Sequence, residues 1–134
     1  MVGGAGLTQV FGRKQEFSVR LAFHGGIEDA SSSRGQHLGR SLYGVSFFPQ
    51  WKVAPRVRLF ANFFIEASRY DAIEPLFLRR RDDTHVAVSG GASVRILDRW
   101  SLEPAIVYRN NRSNLPTTDY DSLAGTVVLR YQLN

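Results

Sequence analysis

The sequence contains no cysteine, which removes disulfide frameworks, thiolate metal sites and thiol nucleophiles together. No stretch approaches the roughly 18 consecutive apolar residues of a spanning helix, and the first residues lack the charged-then-apolar profile of a secretory signal. RNA-binding signatures, zinc-ligand spacings and a Walker loop are missing as well. Gly3-Gly4-Ala5-Gly6 is glycine-rich, but no helix pattern follows it, so it is not a phosphate cradle. The excess of positive charge is modest, 17 Lys+Arg against 12 Asp+Glu, and the cations are dispersed. Their one run, Arg79-Arg80-Arg81, leads straight into Asp82-Asp83, the composition of a solvated loop and not of a nucleic-acid groove. What the 134 residues do hold is 43% hydrophobic and 12% aromatic side chains, too apolar for a disordered tail and enough for at most one domain.

Those apolar residues recur at spacing two, and almost nothing recurs at helical spacing. Trp100, Leu102, Pro104, Ile106 and Tyr108 alternate with Ser101, Glu103, Ala105, Val107 and Arg109. Near the end of the chain, Leu123, Gly125, Val127, Leu129, Tyr131 and Leu133 alternate with residues that include Ser122, Thr126, Arg130 and Gln132. Successive strand side chains point to opposite faces, so each segment has one greasy and one polar side. Segments around Phe17–Phe23, Tyr43–Phe47, Val57–Ile65 and Val86–Ile96 follow the same plan, with Phe60 and Phe64 on the polar side. A poorly alternating stretch from about Ala5 to Gly12 makes a seventh strand, and no helix is predicted.

Connections alternate in length. Residues 13–16, 49–55 and 97–99 are short; residues 26–39, 68–83 and 110–120 are long and rich in Ser, Arg, Asp and Asn. Short turns on one side and long polar loops on the other are the layout of an outer-membrane barrel. Seven amphipathic antiparallel strands also suit a soluble β-sandwich or ligand-binding barrel, in which the apolar face points inward. Three features favour lipid over that alternative: aromatics near strand ends, namely Tyr43, Trp51, Tyr70, Trp100, Tyr108, Tyr120 and Tyr131; the loop asymmetry; and, with least weight, long charges of both signs within strands. The long charges within strands, Arg20, Arg58, Glu66, Arg95, Glu103, Arg109 and Arg130, then face the barrel interior. In a tight hairpin about Leu97–Arg99, Ser93 falls opposite Glu103 and Arg95 diagonal to it, which makes Glu103–Arg95 an interior strut. The Arg excess also permits an anion-attracting, porin-like channel wall. The fold class expected is thus all-β, an antiparallel up-and-down transmembrane barrel. Residues 1–134 form one segment of it, the C-terminal part of a larger barrel, because bacterial single-chain barrels have even strand numbers.

A set of short motifs carries a family resemblance. Arg69-Tyr70 comes first, then Arg80-Arg81-Asp82-Asp83-Thr84 opening a strand. Asp98-Arg99-Trp100-Ser101-Leu102-Glu103-Pro104, Tyr108 to Pro116, and Tyr120-Asp121 before the last strand follow in order. From Arg69 onward the chain resembles the C-terminal barrel of the surface lipoprotein assembly modifier family and related barrels that follow tetratricopeptide domains. The resemblance implies an outer-membrane barrel that helps move lipoproteins to the cell surface. It implies outer-membrane lipid, lipoprotein cargo and the barrel-insertion machinery as partners, with no nucleic acid. Such barrels finish on an aromatic residue, whereas this chain ends Tyr131-Gln132-Leu133-Asn134.

One enzyme pattern is worth weighing. Tyr108 to Asn114 looks like the Tyr…His-x-Ser-Asn segment of outer-membrane lipid hydrolases, in which a histidine activates the serine. Asn111 stands at the histidine position, and an amide cannot act as the base a serine nucleophile needs. Ser113 is therefore read as a strand-end residue, His24 and His85 as inward-facing polar residues, and His37 as a loop residue. No catalytic, metal or cofactor site is expected.

Overall fold

The computed structural model describes residues 1–29, 39–74 and 77–133. They form one seven-stranded antiparallel sheet in simple chain order. The strands are β1 (Val2–Phe11), β2 (Phe17–Glu28), β3 (Arg40–Ala54), β4 (Val57–Glu74), β5 (Arg79–Leu97), β6 (Trp100–Ser113) and β7 (Tyr120–Tyr131). A single 3-10 turn over Pro116–Thr118 is the only helical element among the described residues. The sheet is open: β1 pairs only with β2 and β7 only with β6, and the two edges do not meet.

The period-two pattern becomes two chemically distinct faces because each neighbour pairs in register. One rung crosses the whole sheet as Leu7, Leu21, Phe47, Phe63, Val88, Tyr108 and Leu123. A rung of the other face reads Gly4, His24, Gly44, Glu66, His85, Asn111 and Tyr120. The apolar face is the exposed one. Phe23 (55%), Ile106 (62%), Val127 (69%) and Leu129 (55%) lie open, and no second layer covers them among the described residues. Leu42, Ser68, Asp83 and Asn111, all on the polar face, are among the few buried residues. Two hollows on that face, one near each end of the strands, are each lined by residues from β3 through β7, so the sheet curls with its polar side concave.

Strand ends differ from expectation on the long-loop side. Residues 68–83 and 110–120 are not loops throughout: β4 runs to Glu74, β5 starts at Arg79 and β6 continues to Ser113. The ladder is made by backbone groups, so a change to polar side chains marks the end of the apolar band and not the end of pairing. Most of the long connection over 26–39 lies outside the described residues, as does His37. On the opposite side the connections are tight. Gly12 takes positive φ (87°) in the first turn, where Gln15 N–H donates to the Gly12 carbonyl at 3.0 Å. Pro55-Arg56 and Asp98-Arg99 make the other two; β3 runs on to Ala54, so residues 49–54 of the expected short connection are strand, and in both hairpins the register shifts just before the last rung.

Candidate functional site

The polar face holds two clusters, one near each end of the strands. At the long-loop end the central contact is His24 Nε2 to Glu66 Oε2, 2.8 Å. These residues belong to β2 and β4, which are not neighbours; β3 runs between them. They meet because Gly44 stands between them on the same rung. A Cβ at Gly44 would lie 2.4 Å from His24 Cε1 and 2.7 Å from the Ile65 carbonyl oxygen. Glycine thus removes the one side chain that would block the bridge. Phe64 stacks on the His24 ring at 5.5 Å and meets His85 edge-on at 6.0 Å.

Around this contact each charge has a partner. Ser68 Oγ donates to Glu66 Oε1 at 3.3 Å, Arg40 Nε donates to Glu28 at 2.7 Å, and Arg40 Nη1 lies 3.9 Å from Glu66. Arg81 grips Asp83 through both Nε and Nη2 and lies 4.7 Å from the centre of the Tyr70 ring. The expectation of a solvated Arg–Asp loop is therefore corrected for this pair. Arg81 and Asp83 are two apart in a strand, so both side chains fall on the concave face, and Asp83 is buried. Beyond them Asn111 Nδ2 donates to the Thr118 carbonyl at 2.9 Å and Tyr120 Oη lies 3.5 Å from His85 Nδ1.

The second cluster lies at the short-turn end. Glu103 accepts from Arg130 at 2.9 Å and from Ser93 Oγ at 3.2 Å. Ser93 does face Glu103, but the carboxylate is paired with Arg130 of β7 and not with Arg95. The β6–β7 register sets Ser101 opposite Arg130, which brings that guanidinium within reach. Lys52 stands directly opposite Arg58, and Arg95 opposite Ser101.

The register places Arg20, Arg58, Glu66, Arg95, Glu103, Arg109 and Arg130 on the polar face. It brings Glu103 and Arg130 together and leaves Glu66 with His24 and Arg40. Of the strand-end aromatics, Tyr43, Trp51, Trp100, Tyr108 and Tyr131 stand on the apolar face and are exposed. Trp100 and Tyr131 pack at 4.9 Å. Tyr70 departs from that set: it is buried on the polar face between Arg40 and Arg81. Tyr120 is on that face too, facing Asn111.

Ser113 closes β6, and its Oγ accepts the Leu115 N–H at 3.1 Å. No histidine hydrogen-bonds it among the described residues. Within those residues no group of three or more His, Asp or Glu side chains is arranged to hold a metal ion, and no helix is long and apolar enough to cross a membrane, which says nothing of strands. Sequence reasoning missed Arg40, Ser68 and the Gly44 window, all products of pairing across strands. A lone glycine inside an alternating strand was their one local signal. No family model, curated protein or solved structure matches the chain.

Proposed function

We propose that this chain is a segment of an outer-membrane β-barrel, non-enzymatic, of the type that assists lipoproteins to the cell surface. The observation that carries the membrane part is the inversion of the faces: the continuous apolar face is the open one, and the charged face is folded inward. A water-soluble sheet buries its apolar face against a second layer. Hydrocarbon is the solvent in which the opposite arrangement is stable.

Two dimensions support this reading. Trp51 and Tyr43 on β3, and Trp100 and Tyr108 on β6, are each eight residues apart on the apolar face, roughly 26 Å along a strand. With the strands tilted by about 35–45°, that separation spans roughly 18–21 Å of depth, most of the roughly 25 Å apolar band between aromatic girdles. The strands run from 10 to 19 residues, at or beyond the roughly 9–11 that cross a bilayer. Within lipid, the backbone groups of the β1 and β7 edges need partners, from each other or from additional strands.

Reconstituting the chain in vesicles carrying brominated lipid tests the membrane reading. Trp51 and Trp100 fluorescence is expected to be quenched, with bromines near the headgroup most effective. A monodisperse product that unfolds cooperatively in detergent-free buffer would overturn it. The cargo reading rests on the motif resemblance from Arg69 onward, and protease accessibility of a surface lipoprotein in cells with and without the protein tests it. An unchanged surface pool would remove that part. Arg20, Arg58, Arg95 and Arg109, which have no ion partner among the described residues, fit a porin-like channel instead. Anion-selective conductance in planar bilayers, with cargo display unaffected, would favour the channel.

A further inference from the structure

We infer that the short-turn end of the polar face is a binding site for a multiply charged oxyanion of the phosphate type. The two ends of this face differ in one respect. At the long-loop end Arg40 and Arg81 each lie against a carboxylate. At the short-turn end an open hollow of about 250 Å³ is lined by Lys52, Arg56, Arg58, Arg95, Arg99 and Arg130, against only Asp98 and Glu103. Glu103 is already engaged by Arg130 and Ser93. Lys52, Arg56, Arg58 and Arg95 have no ion pair among the described residues.

Register makes the crowding costly. Lys52 directly faces Arg58 across β3 and β4, where like charges repel. Arg95 and Arg130 flank Ser101 from β5 and β7, and its hydroxyl is left without a hydrogen-bond partner among the described residues. An anion seated in the hollow would relieve the repulsion and meet planar guanidinium forks, which match phosphate oxygens two at a time. The Ser101 hydroxyl would add a neutral donor. A monovalent ion would leave most of this charge uncompensated, whereas pyrophosphate, with several negative charges on two linked phosphates, would offset several of the cations that line the hollow at once. The site is built from β3 to β7 and two turns, so it stands whether or not the sheet closes, and it does not rest on the membrane reading.

The test uses the full chain in maltoside micelles, which carry no phosphate, titrated calorimetrically with inorganic pyrophosphate. Saturable binding is expected. The double variant Arg58→Gln/Arg95→Gln should weaken it at least about tenfold, while Arg109→Gln, on the same face but outside the hollow, should change it less than about twofold. Pyrophosphate should also raise the denaturant midpoint of the parent, because a ligand of the folded state stabilises it, and that shift should vanish in the double variant. Removing like charges is expected to leave the anion-free midpoint equal or higher; should the double variant fail to fold, Lys52→Gln takes its place. Micelles doped with a phosphate-monoester lipid distinguish the sources: saturation by the lipid alone assigns the site to a headgroup. Saturation by neither, or equal weakening in Arg109→Gln, overturns the proposal.

Discussion

Gly44 shows how much one missing side chain can organise. His24 and Glu66 sit two strands apart, a separation that ordinary cross-strand pairs do not bridge, and their 2.8 Å contact passes over the bare backbone between them. Gly44→Ala would set a methyl group against the His24 ring and the Ile65 carbonyl. It is expected to cost about 1–3 kcal/mol, the range for overpacking, read as a shift of the denaturant midpoint. Gly125 makes the control, since a Cβ there meets nothing within 4 Å; Gly125→Ala should stay within about 0.5 kcal/mol of the parent. Glu66→Gln should lower stability by about 1–3 kcal/mol, because His24, Ser68 and Arg40 all lean on that mostly buried carboxylate.

Among the elements, the β5–β6 hairpin continues past its last formal rung through an asparagine. Asn114 N–H donates to the Asp82 carbonyl, its Oδ1 accepts the Asp82 N–H at 3.0 Å, and its Nδ2 donates to the Arg80 carbonyl at 2.7 Å. One side chain thereby replaces a strand partner and holds the extended start of β5 against the 3-10 turn, where Leu115 is buried. Asn114→Ala is expected to speed amide exchange at Asp82 by roughly fivefold to tenfold, the effect of about 1 kcal/mol of lost hydrogen bonding. Exchange at Val88, deep in the same strand, should not change. Exchange by NMR at the two amides checks both. The strands were legible from alternation because a half-exposed sheet needs it; their outer ends were not. Ile73 and Glu74 pair with Arg80 and Arg79 without any apolar pattern to announce it.

For the molecule as a whole, the question is which solvent wets the apolar face. Ile106→Arg and Val127→Arg place a charge in the middle of that face, on residues that are already exposed. In water such changes lie within about 0.5 kcal/mol; at a bilayer midplane an Arg costs about 2–4 kcal/mol. Folding into phosphatidylcholine vesicles across a urea series, scored by gel mobility of unheated samples, separates the cases. Both variants are expected to lose folded yield, and Thr126→Arg, on the polar face between them in sequence, to keep it. Equal behaviour of all three in vesicles and in buffer would reject the lipid-facing assignment.

Alternation, the lengths of the connections and the absence of helical periodicity were enough to specify seven strands and the two sides of each, because side-chain direction in a strand has a period of two residues. Which charges meet was a different matter. Glu103 chose Arg130 of β7, Tyr70 turned from the aromatic set into the polar face, and His24 reached Glu66 over Gly44. Each of those outcomes depends on register between segments distant in the chain and on which way the sheet curls. Local pattern names the two faces of a strand, but only pairing between strands decides what stands opposite each residue and which face is left open.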